Sequence, residues 1–250
     1  MFKRELELAI KAARSAGNLL LKRKDISIDS DEGKDLKLSS DKLSEHIIID
    51  ILKETGIPIL SEECGEIAGD GGYRWIIDPL DGTVNYWRGL DELSCVSVAL
   101  WREDEPLLGV INRFCVNELF YGSVGNGSFL NGDQIYVSDV TKVSKAIVAT
   151  GFPTYMDFSS ENITRIVKNL QRFKKIRMLG TAAVMGSFVA AGRFDAYMEE
   201  DIKLWDVAAA SALVKAAGGV ADIRLSSDYK CVCRFFSTQK LMEDYYAESL

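Results

Sequence analysis

Apolar residues recur at helical spacing near the start of the chain. Leu6, Ile10, Ala13, Gly17 and Leu20 fall on one face and predict a helix over residues 2–23. The polar stretch DISIDSDEGKDLKLSSD that follows reads as exposed strand or mobile loop. Leu43, Ile47, Ile48, Ile51 and Leu52 then predict a second amphipathic helix beginning near Asp41. IPIL at 57–60 reads as a short strand with Ser61, Glu62 and Glu63 at its end, and Trp75-Ile76-Ile77 as a short buried one. Pro79 lacks an N–H, so the second ladder is expected to stop there.

From residue 93 to 137 the pattern turns to β-structure. LSCVSVALW, PLLGVINR and ELFYGS read as successive strands, joined by turns such as GNGSFLNGDQ. Beyond about residue 144 helices alternate with strands. ENITRIVKNLQRF, TAAVMGSFVAAG and WDVAAASALVKAAGG read as helices, and KAIVAT, FDAYME and GVADI as strands. Gly218-Gly219 is a helix stop. The expected division is an α+β half over 1–143 packed on an α/β half over 144–250.

The totals narrow the function classes. A chain of 250 residues with 47% hydrophobic and 27% charged residues is an ordinary soluble-enzyme composition. The formal charge of −7 and the lack of a dense basic block argue against nucleic-acid binding; the Lys22-Arg23-Lys24 cluster reads as a helix end, where cations suit the dipole. No run approaches the roughly 20 apolar residues of a membrane span, and no signal peptide is visible, so a cytoplasmic location is expected. The five cysteines, odd in number and mostly in apolar contexts, read as reduced thiols. Cys231 and Cys233 fit one side of an alternating strand, and Cys64 a buried, inert thiol. With His46 as the sole histidine, itself read as structural, zinc has few ligands.

Carboxylates instead gather at predicted element ends: Asp41, Glu62, Glu63, Asp78, Asp81 and Asp206. Asp78 and Asp81 flank only Pro-Leu and repel each other unless something positive lies between them. Oxygen ligands without histidine or thiolate favour a hard ion, magnesium first, with manganese or calcium behind. After Asp81, Gly82 permits close backbone approach and Thr83 can open a short helix whose free N–H groups bind an anion.

At this point WIIDPLDGTVNY and WDVAAASALVKAAGG resemble the two signatures of the inositol monophosphatase family of metal-dependent, typically lithium-sensitive phosphatases. SEE at 61–63, SSD at 39–41 and GTAA at 180–183 resemble further elements of it, in order along essentially the whole chain. The resemblance implies a layered αβαβα sandwich of the inositol monophosphatase and sugar phosphatase type, of mixed α+β and α/β character, and a homodimer. It implies two or three Mg2+ ions per site, with Mn2+ as substitute, held by Glu62, Asp78, the Leu80 carbonyl, Asp81 and Asp206. Thr83 and Asp41 match the pair that orients and deprotonates the attacking water. Gly82 and Thr83 match the phosphate cradle, and Gly180, Thr181, Ala182 and Glu199 the contacts to the rest of the substrate. The implied reaction is in-line attack of a metal-activated water on a small sugar or polyol phosphate, inositol 1-phosphate first. The alternatives are 3′-phosphoadenosine 5′-phosphate, fructose 1,6-bisphosphate and histidinol phosphate, or a non-enzymatic regulatory binding protein on the same fold.

Some positions depart from the family's pattern. Ser61 stands where Gly is usual, Cys64 where Ser or Thr is common, and Glu200-Asp201 where the second place commonly carries Gly. Lys203 reads as the surface partner of Asp201, with a second substrate anion as the alternative. Trp75, Trp101 and Trp205 read as core, and Tyr86 and Trp87 as either core or the rim of the site.

Overall fold

Small residues let the first helix lie close on its support. The computed structural model describes residues 2–22, 27–32, 35–154 and 156–247. In it α1 (Lys3–Leu20) buries Ala9, Ala12, Ala13, Ala16 and Gly17. A Cβ at Gly17 would stand 2.8 Å from Phe114 Cβ, so the approach requires glycine there. Beside it lies α2 (Ser39–Leu52), which begins two residues earlier than the pattern predicts. Between them is a hairpin, β1 (Ile28–Glu32) with β2 (Asp35–Leu38). Arg23 and Lys24, read as the end of the first helix, lie outside the described residues, as do parts of the polar stretch.

The two helices cover one face of an eight-stranded sheet. Its strands are β3 (Ile59–Ser61), β4 (Gly65–Ile67), β5 (Tyr73–Asp81), β6 (Cys95–Arg102), β7 (Glu105–Arg113), β8 (Glu118–Ser123), β9 (Gly127–Leu130) and β10 (Asp133–Ile135), in the spatial order β10-β9-β8-β7-β6-β5-β3-β4. The stretch expected to be a turn at 125–134 is thus a further hairpin, because Ser128, Phe129 and Leu130 pair with β10. A short helix, α3 (Thr83–Trp87), follows β5.

The second sheet contains β11 (Ile147–Thr150), β12 (Lys175–Arg177), β13 (Ala196–Lys203), β14 (Val220–Leu225) and β15 (Lys230–Phe236), ordered β12-β11-β13-β15-β14. Its helices are α4 (Ser160–Leu170), α5 (Ala182–Ala190), α6 (Leu204–Ala216) and α7 (Gln239–Ala247). Helices α5 and α6 fill the space between the sheets, and α4 and α7 cover the far face, which makes the αβαβα sandwich. Burial on both faces explains the unbroken apolar run in β5: Trp75 and Ile77 join the core under α1 and α2, while Ile76 joins the core around α5 and α6. The small stripe of α5 is core, as expected: a Cβ at Gly186 would stand 2.4 Å from Ala210 Cβ on α6.

Other expectations are corrected. His46, Cys64 and Cys115 are exposed, and Trp205 is only half-buried. Cys231 and Cys233 are buried on one side of β15, as the alternation predicts. Pro79 does not end β5. The strand runs on to Asp81, while the pairing shifts from Asp78 opposite Ser97 to Asp81 opposite Cys95. Three steps on β5 match two on β6, so the strand absorbs the missing N–H as a one-residue bulge. None of the described helices is long and apolar enough to cross a membrane.

Candidate functional site

Two bulges aim side chains into one cleft. The first is that of β5, which carries Asp78, Leu80 and Asp81. The second lies on β13, where Glu199 pairs with Cys233 and Ile202 with Cys231, again three steps against two. Asp201, in this second bulge, has φ +61°. The left-handed conformation at this position accounts for a glycine being suited to it, and Asp tolerates that region better than most residues.

The parallel pairing of β3 with β5 sets Ser61 beside Ile77, and the next residue, Glu62, donates its N–H to Ile77 O at 3.3 Å. Asp206 enters from the first turn of α6. Glu62, Asp78, Leu80, Asp81, Gly82, Thr83, Gly180, Thr181, Ala182, Glu199 and Asp206 all line the same cleft, of about 470 Å³. Asp41 does not line it. It is buried in the first turn of α2, where its Oδ2 accepts the Leu38 N–H at 2.8 Å and its Oδ1 has no partner.

Burial and mutual repulsion push these carboxyls up. Burial first, then the charge of Glu63, raises Glu62 to about 7; Asp78 and Asp206 go well above the carboxylate range through burial and then Glu62. Asp81 rises only to about 6, because hydrogen bonds oppose its burial. Its Oδ2 accepts from Thr181 Oγ1 at 2.5 Å and the Ala183 N–H at 2.7 Å. Burial alone leads the rise of Glu199 and of Asp41, each to about 8. Such an array is stable only protonated or with a cation beside it. Among the described residues no group of three or more His, Cys, Asp or Glu side chains is gathered as a metal cage; the charge of Glu62 instead bears on Asp78 and Asp206 and raises both. The donor set nevertheless suits a hard divalent cation, being all oxygen and strongly anionic.

The turn after Asp81 is tightly built. Gly82 has φ +84°, and a Cβ there would stand 2.5 Å from Leu93 O, so this position takes glycine on two counts. Thr83, the first residue of α3, donates its hydroxyl to Leu80 O at 2.9 Å. Beneath the Ser61–Cys64 turn, the buried Glu45 carboxylate accepts from Ser61 Oγ and, at 3.0 Å, from the Cys64 N–H. Ser61 therefore has a hydrogen-bonding partner that glycine would lack.

Several cleft residues escaped sequence reasoning. Lys37 lines it, its ammonium 3.0 Å from Glu63 Oε2, as do Gly151 and the segment Phe152–Thr154. Their only signal was proximity to a strand end. Lys203 also lines the cleft, but its ammonium donates to Asp228 O at 2.7 Å and lies 5.3 Å over the Trp205 ring. The expected pairing with Asp201 is thus replaced by a main-chain carbonyl, and Trp205 is cleft wall rather than core. Tyr86 is core, its hydroxyl donating to Leu20 O at 2.7 Å. Trp87 stacks under Arg88, whose guanidinium carbon lies 4.1 Å from the ring centre, away from the cleft lining.

The chain has relatives among known proteins. The model of the inositol monophosphatase family matches residues 3–230. A Nus factor SuhB of Xylella fastidiosa is 38% identical over 226 residues, 88% of this chain and 82% of that one. A fructose-1,6-bisphosphatase/inositol-1-monophosphatase of Thermotoga maritima is 36% identical over 221 residues, 86% of this chain and 83% of its own. The solved inositol monophosphatase from Anabaena superposes with a TM-score of 0.86 at 30% identity, covering 99% of this chain and 96% of that one. On its sequence and its fold alike, this chain belongs to the inositol monophosphatase family.

Proposed function

We propose that this chain is a magnesium-dependent phosphomonoesterase acting on a small sugar or polyol phosphate, an inositol-1-phosphate-like compound first. The observation that carries the reading is the convergence of Glu62, Asp78, Asp81 and Asp206 on one cleft beside the Gly82–Thr83 turn. Its two lysines are already engaged, Lys37 with Glu63 and Lys203 with a main-chain carbonyl. Neither offsets four carboxylates.

Glu62, Asp78, Asp81, Asp206 and the Leu80 carbonyl would hold the divalent ions, with Mn2+ as a substitute. Bound there, such ions neutralise phosphate charge and make water acidic enough to be deprotonated near neutral pH. The chain's own groups do the rest. The amides of Gly82 and Thr83 hold the phosphate oxygens. The Thr83 hydroxyl orients the attacking water, and Asp41, with its unpartnered Oδ1, takes up the proton at the far end of that relay. Gly180, Thr181 and Ala182 bear on the alcohol, and Glu199 binds its hydroxyls. Positioning and charge neutralisation account for most of the catalysis expected of such a site. A homodimer, lithium sensitivity and a cytoplasmic location belong to the same proposal and rest on the family.

A second reading draws on relatives named Nus factor SuhB: a non-catalytic regulatory binding protein on the same fold. One assay separates the two. Phosphate release is measured with magnesium from inositol 1-phosphate, fructose 1,6-bisphosphate, 3′-phosphoadenosine 5′-phosphate and histidinol phosphate, each with and without lithium. Release favouring inositol 1-phosphate is expected. No magnesium-dependent release from any of them would leave the regulatory reading in its place.

A further inference from the structure

Two of the stretches that build the cleft lie far apart in sequence: the turn at 81–85 and the segment at 179–183. Asp81 ties them through Thr181 and Ala183. That tie uses a carboxylate whose other oxygen serves the cation in the phosphatase reading. A second tie uses no charge. The Asn85 carboxamide Nδ2 donates to Leu93 O at 2.8 Å and to Leu179 O at 2.8 Å, with Gly180 O a further 3.3 Å contact.

A carboxamide nitrogen has two hydrogens, so three carbonyls around it leave none unspent and fix which end of the amide is nitrogen. The surroundings have little room to give. Gly180 has φ +70°, and a Cβ there would stand 3.3 Å from Asn85 Nδ2. Leu93 O, another of the acceptors, closes against Gly82, where a Cβ would stand 2.5 Å from it. The turn bearing Leu93 is braced in its own right, since Arg113 Nη2 donates to Glu92 O at 2.6 Å. One neutral side chain thus joins the phosphate turn, the Asp91–Leu93 turn and the substrate-facing segment.

We propose that Asn85 is a positioning residue that sets Leu179–Ala182 against the phosphate turn, so that recognition of the alcohol portion of the substrate depends on it; this rests on the phosphatase reading. The carboxamide suits the task because it donates twice without adding charge beside the carboxylates. Aspartate has the same shape but, when ionised, only accepts. It would face three carbonyls with nothing to give them.

The test compares Asn85→Ala and Asn85→Asp with the wild-type protein, each first checked for cooperative thermal unfolding. The expected result is a KM for the organic substrate raised about tenfold in Asn85→Ala and further in Asn85→Asp, the scale of a lost hydrogen bond or two. Inhibition by inorganic phosphate should stay within about threefold in the alanine variant, since the phosphate turn keeps its own glycine. Amide hydrogen exchange in 179–183 should quicken about tenfold while the central strand β6 keeps its protection. Two outcomes overturn the proposal: KM and local exchange within twofold of wild type in both variants, or protection lost evenly across β6 and 179–183. If the wild-type protein releases no phosphate, the phosphatase reading fails by itself. The exchange arm still decides whether Asn85 joins the two stretches.

Discussion

Glu199 and Glu200 are neighbours in the chain and opposites in the structure. Glu199 faces the cleft, and burial pushes its carboxyl up to about 8. Glu200 faces the other way, receives Arg165 Nη1 at 3.2 Å and Arg234 Nη2 at 3.1 Å, and is held below the ordinary carboxylate range, chiefly by its hydrogen bond with Arg165. The same contrast holds on a larger scale. Glu118, gripped by Arg113 and Arg193, is lowered although burial opposes it, whereas Glu62, Asp78 and Asp206 are raised. One carboxylate region has its cations built into the chain. In the other, burial and mutual repulsion dominate, and on the proposed function that difference separates a structural cluster from a site.

The strongest way to break the contrast is Asp81→Asn. The amide oxygen can still accept from Thr181 and Ala183, and removing a charge relieves Asp78 and Asp206. The cation-free variant should therefore melt no lower than wild type. Its magnesium-dependent phosphatase rate should fall on the order of a thousandfold, the loss of several kcal/mol of charge stabilisation. Turnover close to wild type would end the assignment of this cleft to cation binding.

A gentler probe is pH. Glu62 rises from 4.5 to about 7 on folding, Asp81 from 3.8 to about 6 and Glu199 from 4.5 to about 8. A group raised in this way holds its proton more tightly folded than unfolded. Its contribution is fully present below its unfolded value and is lost as pH climbs through the folded one. Cation-free protein should lose stability from about pH 5 to about pH 8, with a fall in Tm of roughly 5 °C or more. Magnesium should restore most of it, and most strongly at the upper end. A Tm in chelator that is flat or rises across that range would show that these carboxyls carry no strain.

How far the chain could be read in advance depends on what each feature rests on. The β5 run and the helices α1, α2 and α6 were legible because burial imposes periodicity on the sequence itself. The carboxylates were legible as types, at strand and helix ends. The two bulges were not. Pro79 predicts a break, and only the pairing with Ser97 and Cys95 shows that the strand bends and continues. Glu199, seven residues before Asp206, was singled out from Glu200 by the family resemblance; what was not legible is the cause, β13's bulged pairing with β15. Asn85 falls within the WIIDPLDGTVNY signature, but its role was not legible, because its three partners are main-chain carbonyls, which any sequence supplies.

The smallest expected effect sharpens the contrast from its structural side. Glu200→Gln removes the charge that Arg165 and Arg234 share but keeps an amide oxygen that can still accept from both. The Glu200 and Arg165 side chains are 30% and 47% exposed, so that pair is substantially screened by water; Arg234, at 15%, is less so. The net loss should be about 1 kcal/mol, which lowers Tm by roughly 2–4 °C in a chain of this size. High salt should narrow the gap, because it weakens the wild-type pairs and leaves the variant nearly untouched. The phosphatase rate should stay within about twofold, since Glu200 lies outside the cleft lining and the β13 bulge is also held by its pairing with Cys231 and Cys233. A rate loss approaching that of Asp81→Asn would mean that the arginine face helps to shape the cleft, and that the two carboxylate regions work as one device.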